Sequence, residues 1–177
     1  MAQLPSFSVD DSSSLPVTEE YFYDLCSRFL DSKNLAVLKS LTLEPPKNKE
    51  ETSSTFLNKW YENERMLRFA LAQIRSLKLN KKFELENASF PVEIVQTART
   101  ACGMDSPLSA EQFLNQYRLN LIENIRPEDD FSLDAVFCYG LKLKLALRMK
   151  KFDTEKGIAS YKKIYDKILK KGSKDQK

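Results

Sequence analysis

The segment TFLNKWYENERMLRFALAQIRSLKLNKK, residues 55 to 82, constrains the fold most tightly, because its side chains repeat with the period of a long helix. At about 100° per residue, Phe56, Trp60, Leu67, Leu71 and Ile74 fall on one stripe, and Phe69 points the opposite way. Glu64, Arg68 and Arg75 lie at the edge of that stripe. A helix with apolar positions on two sides and arginines between them belongs between two partners, or between a core and a partner. The segment therefore predicts a contact, without naming it.

The rest of the chain predicts an all-α fold. Only four glycines occur, Gly103, Gly140, Gly157 and Gly172, and no series of alternating strands bounded by turn pairs is written anywhere. Residues 1 to 17, rich in Ser, Asp and Pro, read as an extended arm anchored by Leu4, Phe7, Val9 and Leu15. Thr18 caps a first helix that carries Glu19 and Glu20 at its positive end and turns Phe22, Leu25, Cys26, Phe29 and Leu30 inward as far as Asp31. Ser32 offers the next cap, for a short stripe of Leu35, Leu38 and Leu41 that stops before Pro45. The run PKNKEETSS then reads as a polar, flexible linker, and residues 80 to 89 as a loop.

Pro91 suits the first turn of a helix with Val92, Val95, Ala98 and Cys102 inward. Ser109 and Gln112 form a capping-box pattern ahead of Phe113, Tyr117, Leu121, Ile122 and Ile125. Ser132 caps a helix apolar on two faces, where Gly140 permits close approach by a neighbour. Thr154 opens a last helix with Ile158, Tyr161, Tyr165, Ile168 and Leu169 on its inner face. The expected architecture is a multi-helix bundle with two long central helices, 55 to 80 and 132 to 151. It forms a single helical domain over 18 to 170, with the arm before it and a disordered basic tail, 171 to 177, after it.

The chemistry available is narrow. No histidine is present among the 177 residues, which removes the commonest general base, the Ser/His and Cys/His nucleophile pairs and the commonest zinc ligand. Cys26, Cys102 and Cys138 are far apart and read as core thiols. The glycines are too scattered for a phosphate-binding loop, so catalysis is not expected, and neither is a metal or a cofactor. No apolar run reaches the ~18 residues that a membrane span requires. The first residues also lack the pattern of a secretory signal, so a cytoplasmic protein is expected. The formal charge of +3 comes largely from terminal lysines, a solvated helix end more than a nucleic-acid platform.

Contact remains as the function to expect. The candidate interface residues are Glu64, Arg65, Arg68 and Arg75 on the first long helix, with Lys142, Lys144 and Arg148 on the second. Glu64 and Arg68, four apart, also suit a simple intrahelical pair worth a few tenths of a kcal/mol, about 0.3 to 0.5. The opening Leu4-Pro5, the FLNKWYENERMLRFALAQIRSLKL helix and the later FCYGLKLKLALRMKKFDTEKG together resemble a short family of bacterial proteins found beside V-type ATP synthase subunits. These look like shortened relatives of the C subunit, called d in eukaryotes. The resemblance rests on Trp60, Glu64, Leu67, Arg68 and Arg75, and on Tyr139, Lys142, Leu143, Arg148 and Gly157. It implies a non-catalytic helical protein that couples or docks the central stalk to the membrane rotor ring, peripheral to the inner face of the plasma membrane. The alternatives are a helical adaptor unrelated to ATPases and, further off, a nucleic-acid binder using the lysine-rich end.

Overall fold

In the computed structural model, residues 4–7, 15, 17–48, 51–80, 90–151 and 154–172 are described, and all their regular structure is helical. Seven helices follow in order: α1 (Glu19–Ser27), α2 (Ser32–Ser40), α3 (Thr55–Lys78), α4 (Val92–Gly103), α5 (Pro107–Asn124), α6 (Leu133–Lys150) and α7 (Thr154–Gly172). Contacts divide the chain into two compact units, Met1–Ala146 and Leu147–Lys177, where the sequence predicts one domain over 18 to 170. The loop predicted from 80 to 89 lies, apart from Asn80, outside the described residues, as do Val9 of the arm and the tail beyond Gly172.

Local chemistry sets most helix ends. Thr18 caps α1 as expected, its Oγ1 accepting from Tyr21 N at 3.2 Å. The helix stops at Ser27, short of Asp31, and this leaves Phe29 76% exposed where an inward position was predicted. Asp31, not Ser32, caps α2: its carboxylate accepts from Asn34 N at 2.7 Å while its backbone is extended. In α5 the start moves forward from the predicted Ser109 box to Ser106. Pro107 occupies the first turn, where a missing N–H is harmless, and the Ser106 hydroxyl accepts from Ser109 N. α3 ends where Asn80 takes a left-handed backbone, φ 51°, a conformation asparagine tolerates better than most residues.

The core of the first unit grows from the α3 stripe. Phe56, Trp60, Leu67 and Leu71 are buried as predicted, joined by Leu57 and Ala70. Leu67, Ala70 and Leu71 meet Ile94, Ala98 and Ala101 of α4 and Leu114 of α5, with Phe90, Phe113 and Tyr117 closing the edge. α4 is turned from its predicted register. Ile94 and Thr97 face the core and Val92 is 72% exposed, because both registers are apolar and the neighbours decide between them. In α5 the buried residues are Leu114, Asn115, Arg118, Leu119 and Ile122, while Phe113, Tyr117 and Leu121 are only half-buried.

α6 is buried on two sides, as its sequence predicts, from Ala135 to Ala146. Ser132 caps it, its Oγ accepting from Ala135 N at 3.2 Å. At Gly140, an added Cβ would stand 3.3 Å from Leu38 Cδ1 and Phe22 Cε1 and 3.4 Å from Leu41 Cδ2, so α1 and α2 approach the helix through this residue.

A second tie joins the starts of α3 and α6. Asp134 Oδ1 accepts from Ser54 Oγ at 2.5 Å, and its Oδ2 accepts from Thr55 Oγ1 at 3.0 Å and Phe56 N at 3.1 Å. A carboxylate at a helix N-terminus meets both the free N–H groups and the positive dipole end. Thr52, in the predicted flexible linker, is likewise fixed: its N–H and hydroxyl both donate to Asn58 Oδ1, at 2.8 and 2.9 Å.

In the second unit, α7 exposes Ile158, Tyr161, Ile164, Tyr165 and Ile168, although four of these were predicted to face inward. The side chain of Leu169 lies outside the described set.

Replacing Asp134 by Ala should lower the unfolding free energy by about 1–2 kcal/mol, the loss of a helix cap, as measured by urea denaturation. Gly140→Val, which overpacks a close helix contact, should lower it by about 1–3 kcal/mol in the same assay.

Candidate docking surface

Glu64, predicted at the edge of the α3 stripe and as an interface residue, is instead 1% exposed, in the interior. Its Oε2 accepts from Arg118 Nε at 3.0 Å, and its Oε1 accepts from Arg118 Nη2 at 2.9 Å and Arg68 Nε at 2.8 Å. The predicted Glu64–Arg68 pair is thus present, and Arg118, buried on α5, adds the bidentate fork that suits a carboxylate. Asn115 Oδ1 accepts from Arg118 Nη1 at 3.3 Å, and Glu111 stands 3.8 Å away. Burial works to lower the Arg118 pKa, but hydrogen bonding to Glu64 and the charges of Glu64 and Glu111 outweigh it and leave it raised. Glu64 is therefore a structural tie between α3 and α5, because a carboxylate in an apolar stripe requires a cation on the facing helix.

Most of the other predicted interface cations also bind acceptors of their own chain. Arg65 Nη2 donates to Pro46 O at 3.3 Å, and Arg68 reaches Glu44 at 3.5 Å. Lys142 pairs with Glu123 at the end of α5, and its ammonium lies 5.7 Å from the Phe7 ring centre. Lys144 pairs with Glu19 and lies 5.6 Å from the Tyr23 ring centre. Its pKa is raised: burial opposes the charge, and Glu19 and Tyr23 more than offset that. Arg75 is exposed in the last turn of α3, where it suits the negative dipole end. Arg148 is half-buried and belongs to the second unit. Of the predicted residues, Glu64 and Arg68 pair with each other.

The open surface lies elsewhere on the first unit, where two apolar clefts share a wall. One, of about 390 Å³, runs between the arm, the end of α5 and α6, and is lined by Phe7, Cys138 and Tyr139 with Arg126, Asp130 and Lys142 at its polar side. The other, of about 640 Å³, lies between α1 and the start of α6, lined by Leu25, Cys26, Phe29, Leu30 and Val136. Leu4 and Phe131 line both. Phe131 is 78% exposed and Phe29 76%, so two phenyl rings stand on the rim with most of their area in water. The arm holds its place through Tyr139, whose hydroxyl donates to Pro5 O at 3.1 Å and whose ring meets Phe7 edge-on at 5.3 Å.

The chemistry of the clefts suits binding more than bond-making. Burial pushes the Cys26 and Cys138 thiols up to about 11, and the nearby Glu123 adds to the shift at Cys138. Both are protonated near neutral pH and poorly nucleophilic. Burial likewise raises the Tyr139 hydroxyl above its ordinary value. Among the described residues, no group of three or more Cys, Asp or Glu is placed to hold a metal ion, and no helix is long and apolar enough to cross a membrane.

Phe131 falls just outside α6, where periodicity specifies no face, and Phe29 is assigned inward by a period that the sequence carries to Asp31 but the helix only to Ser27. Arg118 had a signal: it lies midway between Leu114 and Ile122 on one helical line, opposite a helix with a carboxylate in its own stripe.

Residues 81–173, more than half of the chain, match the family model described as Protein of unknown function (DUF2764). No curated protein and no solved structure matches the chain.

Arg118→Met should cost about 3–5 kcal/mol in urea unfolding, because a buried carboxylate loses its main counterion; the double variant Glu64→Leu/Arg118→Met should recover most of that loss. A pH series gives a second test. Unfolded thiols ionise near 9 while Cys26 and Cys138 in the fold hold their protons to about 11. Their contribution is therefore complete below pH 9 and lost as pH rises through about 11. The urea midpoint should fall across that interval, and less steeply in Cys26→Ala/Cys138→Ala.

Proposed function

We propose that this chain, which belongs to the DUF2764 family, is a non-catalytic docking protein, and that its partner is a subunit of a V-type ATP synthase. The observation that carries a docking role is the double cleft rimmed by exposed Phe29 and Phe131. Large apolar side chains in water beside a concave, largely apolar surface are what a partner's side chains bury, and aromatic residues dominate the binding energy of such contacts. Absence of histidine and thiols held protonated by burial support a role without catalysis.

The identity of the partner is supported by the resemblance over α3 and α6 to shortened relatives of the C or d subunit, which dock the central stalk of the rotary enzyme to its membrane ring. Of the cations that contribute to that resemblance, Arg68 and Lys142 pair with carboxylates of this chain, so docking is assigned to the aromatic rim and not to them.

Affinity capture of the tagged full-length chain from gently solubilised membranes should recover V-type ATP synthase subunits. Phe29→Ala/Phe131→Ala, at exposed positions that leave the fold intact, should reduce recovery by about tenfold or more. Capture of a partner set without any rotary subunit would favour a helical adaptor unrelated to ATPases and overturn the assignment.

A further inference from the structure

The second unit carries an apolar face of a different kind. On α7, Ile158, Tyr161, Ile164, Tyr165 and Ile168 are each at least 50% exposed. At about 100° per residue they occupy one arc roughly 120° wide. Lys162 and Lys163, also exposed, lie outside that arc together with Ala159, Ser160 and Asp166. The charge is as uneven as the hydropathy. Residues 154 to 177 contain eight lysines and three acidic residues, so this segment holds five net positive charges and the remaining chain two net negative.

We propose that α7 binds an anionic lipid bilayer, lying in the plane of the interface with its isoleucines and tyrosines in the acyl boundary and its lysines among the headgroups. An amphipathic helix with a narrow apolar arc, a lysine-rich remainder and too little hydrophobicity to span is the form that interfacial helices take. Tyr161 and Tyr165, stacked at 6.1 Å, add amphipathic rings, which settle at headgroup level with the hydroxyl toward water.

Other occupants fit less well. A second copy of α7, packed arc to arc, would bring together two segments of five net positive charges each. A nucleic acid would use the lysines and leave the isoleucines in water; the tyrosines share the isoleucine arc and are not interleaved with the cations. An anionic bilayer satisfies both halves of the helix at once, and its fluid surface needs no matching knobs. This inference rests on the second unit alone and does not depend on the partner assigned above.

The test is co-sedimentation of the full chain with phosphatidylcholine vesicles, with and without about one third phosphatidylglycerol. At least about tenfold more protein should sediment with the anionic vesicles than with the neutral ones. Ile164→Asp/Ile168→Asp should lose that binding, Lys162→Glu/Lys163→Glu should weaken it severalfold, and Ile164→Val/Ile168→Val should keep it. Ile168→Trp supplies a reporter, since the single native tryptophan, Trp60, is fully buried; its emission should shift to the blue on adding anionic vesicles. Equal sedimentation with both vesicle types, binding that survives the aspartates, or an unshifted Ile168→Trp emission would each overturn the proposal. RNA binding that survives the aspartates, with no vesicle binding, would overturn it in favour of nucleic acid, and an α7-dependent dimer with no vesicle binding in favour of self-association.

Discussion

The first unit depends on one carboxylate in the wrong solvent. Glu64 lies on the buried stripe of the longest helix, and a charge there is tolerated only with counterions and hydrogen bonds. Arg118 supplies two donors and Arg68 a third, and Asn115 and Glu111 engage the Arg118 guanidinium in turn. The ladder fixes the rotation of α3 and α5 about their own axes, since turning either by one residue would separate the fork from its carboxylate. Apolar packing alone does not fix rotation so narrowly, as the shifted face of α4 illustrates.

Two further constraints order what that ladder leaves open. Asp134 joins the starts of α3 and α6, fixing where the two helices begin relative to each other, and Gly140 lets Phe22, Leu38 and Leu41 press against the backbone of α6. Together they place α1 beside the first half of α6, and the larger cleft opens between these elements. Beyond Ser27 the chain leaves α1 by a tight turn in which Phe29 N and Leu30 N both donate to Cys26 O, and this end carries Phe29 to the lining of that cleft. The two clefts thus lie at helix ends, whereas the core is built from helix faces.

That distinction explains what could be read from the sequence. The α3 stripe, the Thr18 cap, the two-sided burial of α6 and the close approach at Gly140 are local consequences of residue type and spacing, and each is found. Asp134 turns inward toward groups 78 to 80 positions away, which no local period reveals. Arg118 shares a helical line with Leu114 and Ile122, but the carboxylate it meets is 54 positions away, and Asn115 follows Arg118. For α4, two apolar registers compete, and only the facing helices choose Ile94 over Val92. In α7 the periodicity was correct and its meaning was not: it specifies that an apolar face exists, not that protein covers it. The candidate site was least legible because Phe29 lies past the true end of α1, where the extended period assigns it inward, and Phe131 lies in a short connection where no period applies.

The ion ladder also has a temporal side. Glu64 and Arg118 are separated by 54 residues, with all of α4 between them. A chain emerging from the ribosome completes α3 well before Arg118 is synthesised. An α3 packed in its final orientation at that stage would hold a carboxylate in the interior with only the partly exposed Arg68 beside it, a state several kcal/mol uphill, roughly 3–5. The final packing of α3 against its neighbours is therefore favourable only once α5 supplies the guanidinium, so the orientation of this early helix is set by a residue made much later.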